Sequence, residues 1–296
     1  MKRFIGLFAG LVLSLGVAAT PAHAGLFFYP GERNQVLYNN YENLYDAKGD
    51  VKAPLAAPVV GDHLAGIFQV NRINDLTGGN GSNIPDVVTF TGVFAQKIVA
   101  VVPIPLGFAI LLDNPTIFTF NAGGDSFTLS DLAATGDMFA VYADPVAGGT
   151  PFTFQGLLAA NVAAATDSTL LLTAKIDVAN DSDNIATASV AFLPSPLPPV
   201  EGVSTATLSI NVNNTGLTFN QIAPITYTCN PGATGQLVLQ SRFTLNTDPL
   251  SKWGFTSFDP SEVQPTSAIP EPTSMMLMGL GLMGLAGGSK RRKLSA

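Results

Sequence analysis

The stretch TATLSINV, residues 205–212, alternates without a break. Ala206, Leu208, Ile210 and Val212 fall on one side, Thr205, Thr207, Ser209 and Asn211 on the other. A period of two sends successive side chains to opposite faces of an extended chain, so this is a strand with one face buried and one wet. The same texture recurs in DHLAGIFQVNRI (62–73), DVVTFTGVFAQKIVAVV (86–102), PTIFTFN (115–121), DMFAVYAD (137–144), STLLLTAKIDV (168–178), ATASVAFL (186–193), GLTFNQI (216–222) and GQLVLQSRFTL (235–245). These runs are rich in Val, Ile, Thr and Phe, whose branched or aromatic side chains suit a pleated surface. Gly, Asn, Asp and Pro punctuate them, in NDLTGGNGSNIPD (74–86), NAGGDS (121–126), ANDSDN (179–184), NNTG (213–216) and NPGATG (230–235).

Many short strands between such turns indicate an all-β chain of antiparallel sheets packed face to face, a β-sandwich. The proline-dense LPSPLPPVEG (193–202) cannot continue a central strand, because proline lacks the donor a ladder needs. It is expected as a long crossover between sheets, and whether the body forms one sandwich or two subdomains stays open. Two segments predict short helix: SDLAATGD (130–137), with Ser130 as N-cap and a stop at Gly136, and FQGLLAANVAAATD (154–167). The body is expected over 25–258, followed by an exposed polar spacer at 259–268.

Charge is unevenly distributed. Of fourteen Lys and Arg, two lie in residues 1–24 and four in 290–293, which leaves residues 25–269 with eight against twenty Asp and Glu, a formal charge of −12. Nucleic acid is excluded as a partner on this ground, since phosphate binding needs clustered cations. Cys229 stands alone and can form no internal bridge, so a core must stabilise the fold. Lys2 and Arg3, the apolar run Phe4–Ala19 and the small residues Ala22 and Ala24 read as a secretory signal peptide, residues 1–24, cut by signal peptidase between Ala24 and Gly25.

The C-terminus carries a second address. Met275–Gly288 is fourteen residues without charge, five of them glycine, and Thr273–Ser289 extends the apolar span to seventeen. At 1.5 Å per residue these cover roughly 21–25 Å as helix, short of the ~30 Å hydrocarbon core. Such a span predicts a short transmembrane helix that inserts transiently. Lys290, Arg291, Arg292 and Lys293 form a stop-transfer cluster that stays cytoplasmic. Upstream, Pro270 and Pro272 flank Glu271 and hold the backbone extended and unpaired.

Residues 269–296, with the tripeptide at 270–272, the apolar span at 273–289 and the basic cluster at 290–293, resemble the PEP-CTERM sorting signal of Gram-negative bacteria. That resemblance implies recognition and C-terminal processing by an exosortase, a multispanning membrane enzyme. It also implies export to the cell envelope, the outer surface or an extracellular polysaccharide matrix of the biofilm or floc type. The bodies of such proteins differ, so the resemblance carries no activity for residues 25–268.

Within the body no catalytic residues are assigned, and a structural or adhesive role is expected rather than an enzyme. GGDSFTL around Ser126 lacks the later histidine that a GDSL hydrolase would need, which leaves only a Ser126–His63 pairing. One His and one Cys in the body cannot build a structural zinc site. Asp177, Asp181 and Asp183, with Asn74, Asp75 and Asp86 in a second loop, offer oxygens that calcium accepts, although Asx turns account for both loops. Tyr38, Tyr41, Tyr45 and Trp253 are candidates for stacking on sugars; at spacings of three and four, the tyrosines would make one stripe on a helix. A calcium-assisted carbohydrate-binding protein of the exopolysaccharide matrix and a secreted hydrolase are the alternatives.

Overall fold

The computed structural model describes residues 28–268, except 54–55, 79–80, 84–87, 105–106, 146–153, 177–185, 192–200, 224–233 and 249. The chain is almost entirely strand: β1 (Asn34–Tyr45), β2 (His63–Asp75), β3 (Gly81–Asn83), β4 (Val88–Ile104), β5 (Gly107–Asp113), β6 (Thr119–Ala122) and β7 (Asp125–Thr128) come first. Helix α1 (Ser130–Thr135), β8 (Phe139–Pro145), helix α2 (Leu158–Thr166), β9 (Thr169–Ile176) and β10 (Ala186–Ala191) follow. Then come β11 (Glu201–Asn213), β12 (Leu217–Phe219), β13 (Leu237–Leu245), β14 (Phe255–Val263) and β15 (Pro265–Ala268).

The strands do not form a sandwich. They close into an antiparallel barrel of eight strands in the cyclic order β1, β2, β4, β8, β9, β11, β13, β14. β14 returns to β1 with Asn34 opposite Val263 and Glu42 opposite Phe255, which closes the ring. Alternation along a strand reports that one face is buried; it is silent on whether that face meets a second sheet or the far wall of its own. Long-range pairing decides this, and here it leaves no open edge on the main ring.

Two of the eight staves are broken in the middle. β5 pairs with the C-terminal part of β4, from Lys97 opposite Asp113 to Ile104 opposite Gly107. After an excursion through β6, β7 and α1, β8 pairs with the N-terminal part, Phe94 opposite Phe139 to Val88 opposite Pro145. β9 and β10 likewise pair in tandem along β11. Taking each tandem pair as one stave, the chain visits neighbouring staves in sequence order, an up-and-down meander. Asn114 fastens the break, its side chain accepting from Ile176 N at 2.9 Å and donating to Ile176 O at 3.1 Å. Register shifts at Leu37/Tyr38, Ile98/Ala100, Val141/Tyr142 and Ile210/Val212 add the bends that curvature needs.

Side-chain alternation now sorts into a lumen and an outer layer. Leu64, Phe68 and Val70 of β2, with Phe90 and Phe94 of β4, point inward with Phe139, Leu172, Leu208, Leu239 and Phe255. Gly66 and Gly92 occupy inward positions on β2 and β4; a Cβ at Gly92 would strike the Phe68 ring and the Ala140 carbonyl, and one at Gly66 the Tyr41 carbonyl. The missing side chains are what let Phe68 lie flat on Phe139, with ring centroids 4.6 Å apart. Ala65, Ile67, Val93, Ala95, Ala140 and Tyr142 point outward and are covered by Phe120, Phe127, Leu132, Leu158 and Val162 from the β6–β7 hairpin and both helices. Asp125 accepts from the N–H groups of Leu158 and Ala159 and so caps α2 from another element.

Several sequence-based expectations are corrected. Residues 259–268 are no exposed spacer: they complete β14 and form β15, which pairs with β12 from Leu217 opposite Ala268. The proline-dense segment joins β10 to β11, antiparallel neighbours with Ala191 opposite Glu201, so its ends make a hairpin connection rather than a crossover between sheets. Ser130 opens α1, yet no side-chain cap forms there; Gly136 does end the helix, at φ 72°. The expected short transmembrane helix finds no support either: no helix among the described residues is long and apolar enough to cross a membrane, and 273–289 lies outside them.

Candidate functional site

The lumen is apolar at one level and polar at another. Toward the end where β12 and β15 meet, Phe28, Val36, Phe68, Val70, Phe90 and Phe219 help to line a cavity of about 60 Å³. Below it, a cavity of about 30 Å³ is bounded by Tyr38, Asn40, Glu42, Gln96, Ser241 and Asp259, with Leu64, Phe94, Phe139 and Leu239. Tyr38 and Phe139 belong to both walls, so the two chambers adjoin.

Local sequence explains the polar belt. On β1 the inward residues are Val36, Tyr38, Asn40, Glu42 and Leu44; on β14 they are Phe255, Ser257, Asp259, Ser261 and Val263. The register sets Tyr38 opposite Asp259 and Asn40 opposite Ser257, which concentrates polar groups at one height. Asp259 is fully buried and well satisfied: it accepts from Asn40 Nδ2 at 2.7 Å, Ser241 Oγ at 2.8 Å, Ser257 Oγ at 2.5 Å and Arg242 N at 2.7 Å. Burial still pushes its carboxyl up to about 6, against the lowering effect of those donors.

Glu42 differs. It is 4% exposed, and its carboxyl has no hydrogen-bond partner among the described residues. Burial first, and the charge of Asp259 second, push it up to about 8, so it carries a proton at neutral pH. Tyr38, also 4% exposed, is pushed well above its ordinary value by burial and by Asp259 and Glu42. Gln96, 8% exposed, completes the polar wall from β4.

Most residues singled out from sequence lie elsewhere. Tyr38, Tyr41 and Tyr45 sit on a strand, not a helix, and divide between its faces. Tyr38 enters the lumen, Tyr41 stacks on Phe154 with centroids 3.8 Å apart, and Tyr45 packs outside against Phe120 and Phe127. Trp253 is buried beside Phe127. Ser126 is exposed on β7, whereas His63 is 1% exposed, with Thr116 at 3.4 Å from Nε2 and no partner on Nδ1. The two do not form a dyad. Burial, then Lys97, lowers the His63 pKa, which keeps the ring neutral. Asp62 is engaged by Lys52, and Asp75 is spent on its own turn, accepting from Thr77 N and Gly78 N at 2.8 Å each.

Among the described residues no three of His, Cys, Asp and Glu converge to hold a metal ion. Asp86, Asp177, Asp181 and Asp183, the calcium candidates, lie outside those residues, as do Cys229, Ala24 and Gly25, Pro270, Glu271 and Pro272, and Lys290 to Lys293. The lumenal belt was missed, although a strand reading of QVLYNNYENLY beside FTSFDPSEV would have put Asn40, Glu42, Ser257 and Asp259 on inward positions.

Fold and lumen together define an eight-stranded up-and-down barrel with a polar belt inside, standing directly upstream of the C-terminal tail. That tail is identified independently: the model of the PEP-CTERM protein-sorting motif matches residues 268–292. The chain is thus an exported protein sorted by an exosortase-type enzyme, with a destination in the Gram-negative cell envelope or surface. No curated protein and no solved structure matches it.

Proposed function

We propose that this is a structural or adhesive protein of the cell surface or extracellular polysaccharide matrix, delivered by its signal peptide and trimmed by an exosortase near Pro270–Pro272. The sorting motif carries the reading: its match begins at Ala268, the last residue of β15, so processing at or beyond the tripeptide spares every described strand. The burial of Tyr38, Tyr45 and Trp253 favours a structural role over sugar stacking, which needs an accessible ring. The separation of Ser126 from His63 favours it over serine hydrolysis.

Intact mass of the protein recovered from washed matrix tests both parts. A species lacking the residues beyond the tripeptide is expected from wild-type cells, and the unprocessed C-terminus from cells without the exosortase. Finding 273–296 on every wild-type molecule would overturn the sorting step, and quantitative loss of processed protein to the medium would overturn the matrix role.

A further inference from the structure

Three polar heads in the lumen have no hydrogen-bond partner among the described residues: the Glu42 carboxyl, the Gln96 amide and the Tyr38 hydroxyl. All three side chains are more than nine-tenths buried, and all border the same cavity. Polar groups withdrawn from bulk water are nearly always paired, so whatever occupies this cavity has to pair all three heads. None of the residues lining either chamber is Lys, Arg or His, although two of them are carboxyls. An anionic guest would be repelled there, and a purely apolar one would leave the three heads unsatisfied.

We propose that the barrel lumen binds a small amphiphilic organic cation, an alkyl- or arylammonium ion. Its ammonium group would donate to Glu42, Gln96 Oε1 and the Tyr38 oxygen, and its apolar body would pass Phe139 into the chamber of Phe68, Phe90 and Val70.

An ammonium ion has three donors and one positive charge, which matches three free acceptors beside Asp259. The rings of Tyr38, Phe94 and Phe139 at the same level present π-faces that attract a desolvated cation. Burial, and the Asp259 charge after it, keep Glu42 protonated, and a bound cation would offset both, turning the carboxyl into an acceptor. The groups facing Glu42 are Asp259 from β14 and Tyr38 from β1; β2 and β4 contribute Leu64, Phe94 and Gln96, none charged. The apolar chamber is several times the ~10–15 Å³ that one water occupies on this measure, so it admits a short chain or a single ring.

Calorimetric titration of the full chain with n-hexylammonium, n-hexanol and n-hexanoate tests this. Saturable binding of the ammonium is expected, about tenfold or more tighter than the alcohol, with no binding of the carboxylate. Glu42→Gln is expected to weaken the ammonium by about tenfold or more while sparing the alcohol. Gln96→Leu, which removes an acceptor without touching a carboxyl, should weaken it as well, so a folding defect in one variant does not stop the test. Val141 lines the apolar chamber, so Val141→Trp fills it and should abolish binding with the circular dichroism of the barrel intact. Hexanoate binding as tightly as hexylammonium, no saturable ammonium binding, or an ammonium affinity unmoved by both polar variants would each overturn the proposal. None of these outcomes bears on the sorting tail.

Discussion

Glu42 leaves water on folding and ends between Leu64, Phe94 and Asp259 with no donor to hold its charge. The sign of its effect follows from linkage. Its carboxyl titrates at about 4.5 when free and about 8 when folded, so native and unfolded chains hold the proton equally at low pH. Between those values the unfolded chain gives the proton up more readily, and the stability present below pH 4.5 is lost as pH climbs through 8. Asp259 acts in the same direction over a lower window, from 3.8 to about 6. Thermal unfolding followed by circular dichroism should therefore show stability falling from pH 5 to pH 9. Glu42→Gln should remove most of the upper part of that fall, leaving the variant more stable than wild type at pH 9 by on the order of 2–4 kcal/mol and nearly equal to it at pH 5. Gly92 is the opposite kind of residue, defined by what it lacks. Gly92→Ala presses a methyl into the Phe68 ring and the Ala140 carbonyl, and urea unfolding should place the loss at about 1–3 kcal/mol.

Among the elements, β14 carries the most. It closes the ring, presents Asp259 inward, and carries, one residue before its end, Glu262, whose buried side chain is paired with Arg33 just ahead of β1. Arg33 also donates to the Ala223 carbonyl, so one guanidinium ties three segments together. Arg33→Ala would strand Glu262 in the interior, and the urea midpoint should report a loss of about 3–5 kcal/mol. Arg33→Met with Glu262→Leu should recover much of it, because no charge is then left buried. β14 also shows what could be read from the sequence. Its inward positions alternate as cleanly as those of 205–212, but they are Ser and Asp between Phe255 and Val263, with Pro260 in the middle, and that polarity resembled a linker. The two helices, the turns and the strand character of the runs were legible because each depends on neighbours in sequence. Barrel closure and the lumenal belt were not, because they depend on β14 finding β1, more than two hundred residues away. The sorting motif of the tail was legible, being a linear signal whose meaning needs no fold.

At the scale of the whole molecule, both ends of the described chain meet at one rim of the barrel. Gly31 N donates to Pro265 O at 2.7 Å, Gln264 Nε2 to Gly31 O at 3.2 Å, and Phe28 meets Phe219 edge to face. Among the described residues, the lumen and the outer layer are built from the chain up to Ala268, so a chain ending there should fold as the intact protein does. Its melting temperature, measured beside that of the full chain, should agree within a few degrees; a collapse of the transition would mean that the tail supports the barrel.

The pairing of β15 with β12 has a mechanical side. Only Ile269 stands between the end of that small sheet and Pro270, a gap that extended backbone spans in about 7 Å. An enzyme reaching for the tripeptide therefore works flush against a folded rim, with almost no slack. Peeling the four residues of β15 away would pay out roughly 13 Å more tether at the expense of one short ladder, without loosening a single stave.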